Sequence, residues 1–314
     1  MSPSGPEREA IRVAAHWYAR LASGEDSEHD RQAWQRWHDA DPLHRQAWQR
    51  VESVSLQFAR VPGQVAAPVL RGGQSRRQVL RSVVLLAAAG GLGIAGWRSD
   101  TGAALLAQYR TAVGEQRDLQ LADGSVIKLN TDTALDVDFN ARQRQLTLRA
   151  GEILVNASPD SLGRPLWVQT PYGRVQAQDT RLTVRVLGHG AQVSVLRNSA
   201  EVHLPDSGPA QSLQAGQQVQ FDREHIEAVR PNTPATAAWQ HGSLLAIEQP
   251  LGELLAELSR YRRGWLRCDP AVAGLKVSGA FPLANTDIAL AALESGLGLK
   301  VVRHTALWVT VSRA

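Results

Sequence analysis

From residue 119 to 204, apolar and polar positions alternate in short runs, a period of two that predicts strands. Leu119 and Leu121 precede Asp123-Gly124, and Ile127 and Leu129 follow it. The dipeptide suits the positive φ angles of a type I′ turn, so a hairpin is expected. Leu135, Val137 and Phe139 then alternate with Asp136 and Asp138, which are expected to face solvent. Similar runs lie at Leu146–Leu148, Leu166–Val168, Leu182–Val186, Val193–Val195 and Val202–Leu204. Many short strands at this spacing predict an all-β sandwich or folded-over sheet across 110–230.

Beyond Pro231–Pro234, read as a linker, the period lengthens. Pro250–Arg262 predicts an amphipathic helix with Leu251, Leu254, Leu255 and Leu258 inward, and Asn285–Leu293 a second with Ile288, Ala289, Ala292 and Leu293 inward. Arg260-Tyr261-Arg262-Arg263 reads as a solvated end of the first helix, where cations suit the dipole. Strand-like stretches at Leu244–Ile247, Leu275–Phe281, Leu299–Val302 and Leu307–Val311 complete an α+β module over 239–314.

Three short helices are expected in residues 1–60. Ile11, Ala14, Ala15, Tyr18 and Leu21 share one face of the first. Ser27 and Asp30 suggest a capping box for a second bearing Ala33, Trp34 and Trp37. Asp41-Pro42 supplies an N-cap and first-turn proline for a third, with Leu43, Ala47, Val51, Val54 and Phe58 inward. A Pro- and Gly-rich tether over 61–78 follows.

The uncharged run Ser82–Trp97 is slightly short of the roughly 20 residues of a membrane helix. Its four glycines suit lipid better than a soluble helix, so one transmembrane helix is expected within 79–97. Arg60, Arg71, Arg76, Arg77 and Arg81 precede it, which places the N-terminus in the cytoplasm and the C-terminus in the periplasm of an inner-membrane protein. Arg76-Arg77 ahead of a mildly apolar segment also fits a twin-arginine export signal.

The chain has 314 residues and is 43% hydrophobic, enough for two or three domains. Its net charge of +4 comes from dispersed arginines rather than basic runs, which argues against nucleic acid as a direct partner. The single cysteine, Cys268, can form no internal disulfide and no thiolate zinc site. The histidines show no metal-ligand spacing, so neither metal nor cofactor is expected.

The stretches GEQRDLQLADGSVIKLNTDTAL, RQLTLRAGEILVNA and TPYGRVQAQDTRLTV resemble the FecR domain. WYARLASGED and WQRWHDADPLHRQAWQRV are similar to that family's N-terminal helical domain, and residues 250–302 resemble its C-terminal module, related to the short N-terminal domain of secretins and TonB-dependent receptors. The resemblance implies a multidomain anti-sigma regulator with a small all-α N-terminal domain, one transmembrane helix, an all-β FecR domain and a C-terminal α+β module. It further implies capture of an extracytoplasmic-function sigma factor in the cytoplasm. The signal would come from a TonB-dependent outer-membrane receptor for iron or siderophore uptake, and membrane proteases would process the chain. Where relatives read Ala-Leu-Gly-Thr and some cleave themselves, this chain reads Ala177-Gln178-Asp179-Thr180. Loss of the glycine argues against cleavage at Asp179-Thr180, with Asp179 as a local acid or base the alternative.

Four of nine tryptophans, Trp17, Trp34, Trp37 and Trp48, lie in the first fifty residues, more indole than a very small core encloses, and are the sigma-binding candidates. Trp34 and Trp37, beside Ala33, fit a core role equally well, which puts Trp17 and Trp48 first for an interface. Leu275, Val277 and Phe281, on a strand whose edge could pair with a partner, are the receptor-binding candidates. A membrane-anchored periplasmic enzyme or an envelope scaffold is the alternative function, but no nucleophile, base and oxyanion site can be assembled for the enzyme.

Overall fold

The computed structural model describes residues 10, 13, 14, 17, 21, 28–49, 107–205, 209–305 and 307–314. Near the N-terminus, helix α1 spans Glu28–Ala40 and a further helical stretch spans 42–49. Asp41 caps that stretch as expected, its carboxylate accepting from the Leu43 N–H at 2.8 Å.

The expected fold class is corrected here. The described chain is predominantly β, and none of its helices is long and apolar enough to cross a membrane. Ser82–Trp97 and Arg76-Arg77 lie outside the described residues. A closed all-α N-terminal domain is not formed by the described residues either. Their buried apolar cluster consists of Ala10, Ala14 and Ala47, with Trp37, Leu43 and Trp48 only partly buried against it.

The main body comprises strands β1 (Tyr109–Arg110), β2 (Arg117–Gln120), β3 (Val126–Leu129), β4 (Ala134–Phe139), β5 (Arg144–Ala150), β6 (Glu152–Asn156) and β7 (Leu166–Thr170). These are followed by β8 (Gly173–Ala177), β9 (Arg181–Leu187), β10 (Gly190–Arg197), β11 (Ser199–His203), β12 (Gln211–Gln214), β13 (Gln217–Phe221) and β14 (Arg230–Pro231). They form two seven-stranded sheets, ordered β1-β4-β5-β7-β8-β11-β12 and β14-β13-β10-β9-β6-β3-β2. Consecutive strands cross between sheets every one or two strands. Inward residues of both, among them Ile127, Leu146, Leu148, Ile153, Val168, Val184 and Val193, share one core. Each such side chain contributes about 1.5–3 kcal/mol by burial.

The β2–β3 hairpin forms with Leu119 opposite Ile127, but its turn is not the two-residue type expected. A five-residue loop, 121–125, joins the strands, closed by Leu121 and Ser125, and only Gly124 in it has positive φ. Asp123 is held instead by Ser125 and by Arg144.

A tighter turn joins β5 to β6 at Gly151, whose φ is 84°. A Cβ there would lie 2.3 Å from Thr133 Oγ1 and 2.6 Å from the Asp132 carbonyl. Gly151→Ala is therefore expected to cost about 2 kcal/mol through strain and displacement of Thr133. Urea unfolding checks this, and an unchanged midpoint would refute it.

After a 3₁₀ helix, Pro234–His241, come β15 (Ser243–Pro250), α2 (Leu251–Ser259), β16 (Trp265–Cys268) and α3 (Pro270–Ala273). The chain continues through β17 (Lys276–Pro282), α4 (Thr286–Leu297), β18 (Leu299–Thr305) and β19 (Trp308–Arg313). β15 pairs with β17, and β16-β19-β18 form a second small sheet. Helix α2 buries the four leucines expected; α4 buries Ala289, Leu290 and Leu293, with Leu290 in place of the expected Ile288 and Ala292.

Strand β6 shows how the two parts meet. Its residues Glu152, Ile153, Leu154 and Val155 are all buried, so the alternation of a one-sided strand is lost. Ile153 and Val155 enter the sandwich core, whereas Leu154 joins the core of the C-terminal unit.

Candidate functional site: the seam between the sandwich and the C-terminal unit

The outer face of the β6-containing sheet is covered at its centre by α2, β15 and the 3₁₀ helix. Arg260, just past α2, ties the surfaces together. Its guanidinium donates to Glu152 at 2.8 Å and to Glu257 at 3.0 Å. Glu257 in turn lies 2.9 Å from Arg185 on β9. Asn130 donates both to Glu152 at 2.9 Å and to the Tyr261 hydroxyl at 2.7 Å. Thr131 Oγ1 donates to the Arg260 carbonyl at 2.9 Å. The expected solvated helix end is thus corrected for Arg260 and Tyr261: the sheet beneath supplies their partners.

Burial opposes the charge on Glu257, but Arg185 and Arg260 outweigh it and hold its carboxyl below the usual range. Burial likewise opposes the Arg260 cation, and Glu152 and Glu257 reverse that effect, raising its pKa. Burial, with Glu152 nearby, pushes the Tyr261 phenol up. The seam is a charge-balanced, partly buried latch whose members depend on one another. Beside it opens a cleft of about 230 Å³ walled by Thr183, Arg185, Gln192, Gln218, Trp239 and Glu257 among others. The buried Trp239 indole N–H has no partner among the described residues.

The residues singled out from sequence lie elsewhere. Trp34 and Trp48 pack with ring centroids 4.9 Å apart, and Trp37 stacks on His44 at 4.6 Å. These three and Trp17 are each partly exposed, so none is enclosed by the small alanine cluster. Asp179 has φ 44°, in the left-handed region that glycine favours. Thr180 is fully buried, its hydroxyl donating to the Arg197 carbonyl at 2.5 Å, while Asn198 donates to the Asp179 carbonyl at 2.5 Å. Val277 and Phe281 are in the C-terminal core; of that trio only Leu275 is exposed. Asp138 is exposed as expected, whereas Asp136 is partly buried by Arg149 at 2.6 Å. Among the described residues no group of His, Cys, Asp and Glu is placed to hold a metal ion.

The model of the FecR protein family matches residues 107–201, which are strands β1 to β11 with the seam residues Asn130, Glu152 and Arg185. This chain carries a FecR domain. A domain of unknown function, DUF4880, matches residues 12–54 and covers all four N-terminal tryptophans. No curated protein matches the chain. Two crystal structures described as a candidate anti-sigma factor from Parabacteroides distasonis ATCC 8503, at 2.50 and 1.65 Å, share its fold. Both are 21% identical and cover 66% of this chain and 98% of their own, with TM-scores of 0.53 and 0.54. The FecR domain supplies one wall of the seam, and the C-terminal unit, beyond the matched residues, supplies the other.

Proposed function

We propose that this chain is a regulator of the anti-sigma type, in which the N-terminal helical segment holds an extracytoplasmic-function sigma factor and the FecR domain with the C-terminal unit receives a signal. The FecR match carries this reading. The anti-sigma description of the structural neighbours and the partly exposed tryptophans within the DUF4880 match support it. In this reading the chain resides at the inner membrane. Its outer partner is the signalling domain of a TonB-dependent receptor, and membrane proteases release the sigma-bound fragment. The seam gives the C-terminal unit a rigid lever on the FecR domain, because moving α2 and Arg260 breaks contacts to β6, to β9 and to the segment that follows β3 at once.

The test is capture of purified extracytoplasmic-function sigma factors by the full chain, compared with Trp17→Ala and Trp48→Ala. One sigma factor should bind, and truncation of an interface indole should weaken it about thirtyfold. Capture of none would refute the function. Capture indifferent to both substitutions would refute only this assignment of residues.

A further inference from the structure

The outer face of the β16-β19-β18 sheet is aromatic, cationic and open to solvent. Its other face carries Leu299, Val301, Val309 and Val311 into the core. On the open face Trp265 is 72% exposed and Trp308 39% exposed, and the two are register partners across β16 and β19. Leu307 beside them is 58% exposed. The His304 ring packs 4.4 Å from that of Trp308, and its Nε2 lies 3.3 Å from Thr310 Oγ1.

This display is held in place. The Trp265 N–H donates to the Leu307 carbonyl at 2.6 Å, and the preceding Gly264, at φ 95°, permits that approach because a Cβ there would lie 2.1 Å from the same oxygen. Exposed tryptophans fixed on a sheet are rare on surfaces that only meet water and frequent at the centre of interfaces.

Charge narrows the occupant. By register, the open face carries Arg267 and Lys300, whereas Arg303 and Arg313 are partners of the core-facing Val309 and Leu299 and lie on the other side. Asp287, on α4, engages Arg303 at 3.7 Å and Arg262 at 3.3 Å away from that face, and Arg267 and Lys300 have no ion-pair partner among the described residues. The edge supplies the geometry. β16 ends the sheet order, and the N–H groups of Trp265 and Asp269 turn towards β19. By alternation, Leu266 and Cys268 direct their backbone N–H and C=O groups outward.

We propose that this face docks an acidic, extended protein segment, which adds to β16 as a further strand and lays apolar side chains on Trp265 and Trp308. Unpaired backbone groups supply affinity, the indoles an anchor, and the unmatched cations the preference for acidic sequence. The proposal rests on the receiver reading only for the identity of the natural partner, and the experiment bypasses that identity.

The purified full chain is used to select from a phage-displayed library of random dodecapeptides. Acidic peptides with alternating apolar residues should be enriched, and the Trp265→Ala/Trp308→Ala double variant should bind them about thirtyfold more weakly. Arg267→Glu/Lys300→Glu should shift selection towards basic peptides. An unchanged unfolding midpoint in both variants confirms that neither change disturbs the core. Failure to enrich acidic peptides, or their equal capture by the tryptophan variant, overturns the proposal. So does concentration-dependent dimerisation, measured by sedimentation, that the same variant abolishes, since the occupant would then be a second copy. Loss of sigma capture would leave all these outcomes readable.

Discussion

Replacing Arg144 with methionine is expected to lower the stability of the FecR domain by about 4 kcal/mol, the cost of breaking a buried ion pair from one side. The side chain is fully buried at the start of β5. Its guanidinium donates to Asp123 at 2.7 Å, to the Ser158 carbonyl at 3.1 Å and to the Arg164 carbonyl at 2.6 Å. Methionine fills much of the volume but removes the donor to two carbonyls and leaves the Asp123 carboxylate with Ser125 and no cation. Urea unfolding should show the loss at pH 7. Adding Asp123→Leu should recover part of it, because removing both charges ends the desolvation penalty. Burial opposes the Asp123 charge, but hydrogen bonds from Ser125 and the Arg144 cation depress its pKa overall. A depressed folded-state pKa contributes stability above the unfolded carboxyl value, lost as pH falls through the folded value. The gap between wild type and Arg144→Met should therefore narrow only below about pH 4. A gap that is constant down to pH 2, or a loss under about 1 kcal/mol at pH 7, would contradict this account.

Arg260→Ala should cost about 3 kcal/mol and separate the unfolding of the C-terminal unit from that of the FecR domain. Glu152 would remain buried with Asn130 alone, and Glu257 would keep only Arg185. Because Arg260 and Glu152 share one network, Glu152→Gln should cost less in the Arg260→Ala background than in wild type, by about 1 kcal/mol or more. Calorimetry of the full chain reads both effects, as two transitions where wild type has one for these regions. Additive costs with one shared transition would mean that the apolar contact through Leu154 suffices to join them.

The local patterns in the chain were legible because periodicity belongs to the backbone. Alternation located the sandwich strands, the four leucines set the face of α2, and Asp41-Pro42 marked a helix start. Pairing between distant elements was not legible. Glu152 and Arg260 are 108 residues apart, and neither neighbourhood hints at the other. Charged residues such as Arg144 and Arg260 read as solvent-facing until a loop or a second layer covers them. The type I′ turn was mistaken for the same reason, since Asp123 is drawn into the Arg144 network and the loop closes around it. β16, four residues with exposed Trp265 and Arg267, has too little apolar contrast to announce a strand.

By itself the sequence determined the succession of short strands, the buried face of α2, and the resemblance that the FecR match at 107–201 bears out. Only the tertiary structure decided that β6 is buried on both faces, that Arg260 latches two units and that Trp265 and Trp308 share an open sheet. Periodicity fixes which side of an element is apolar, whereas the energy of a buried charge or an exposed indole depends on what packing brings to within a few ångströms of it.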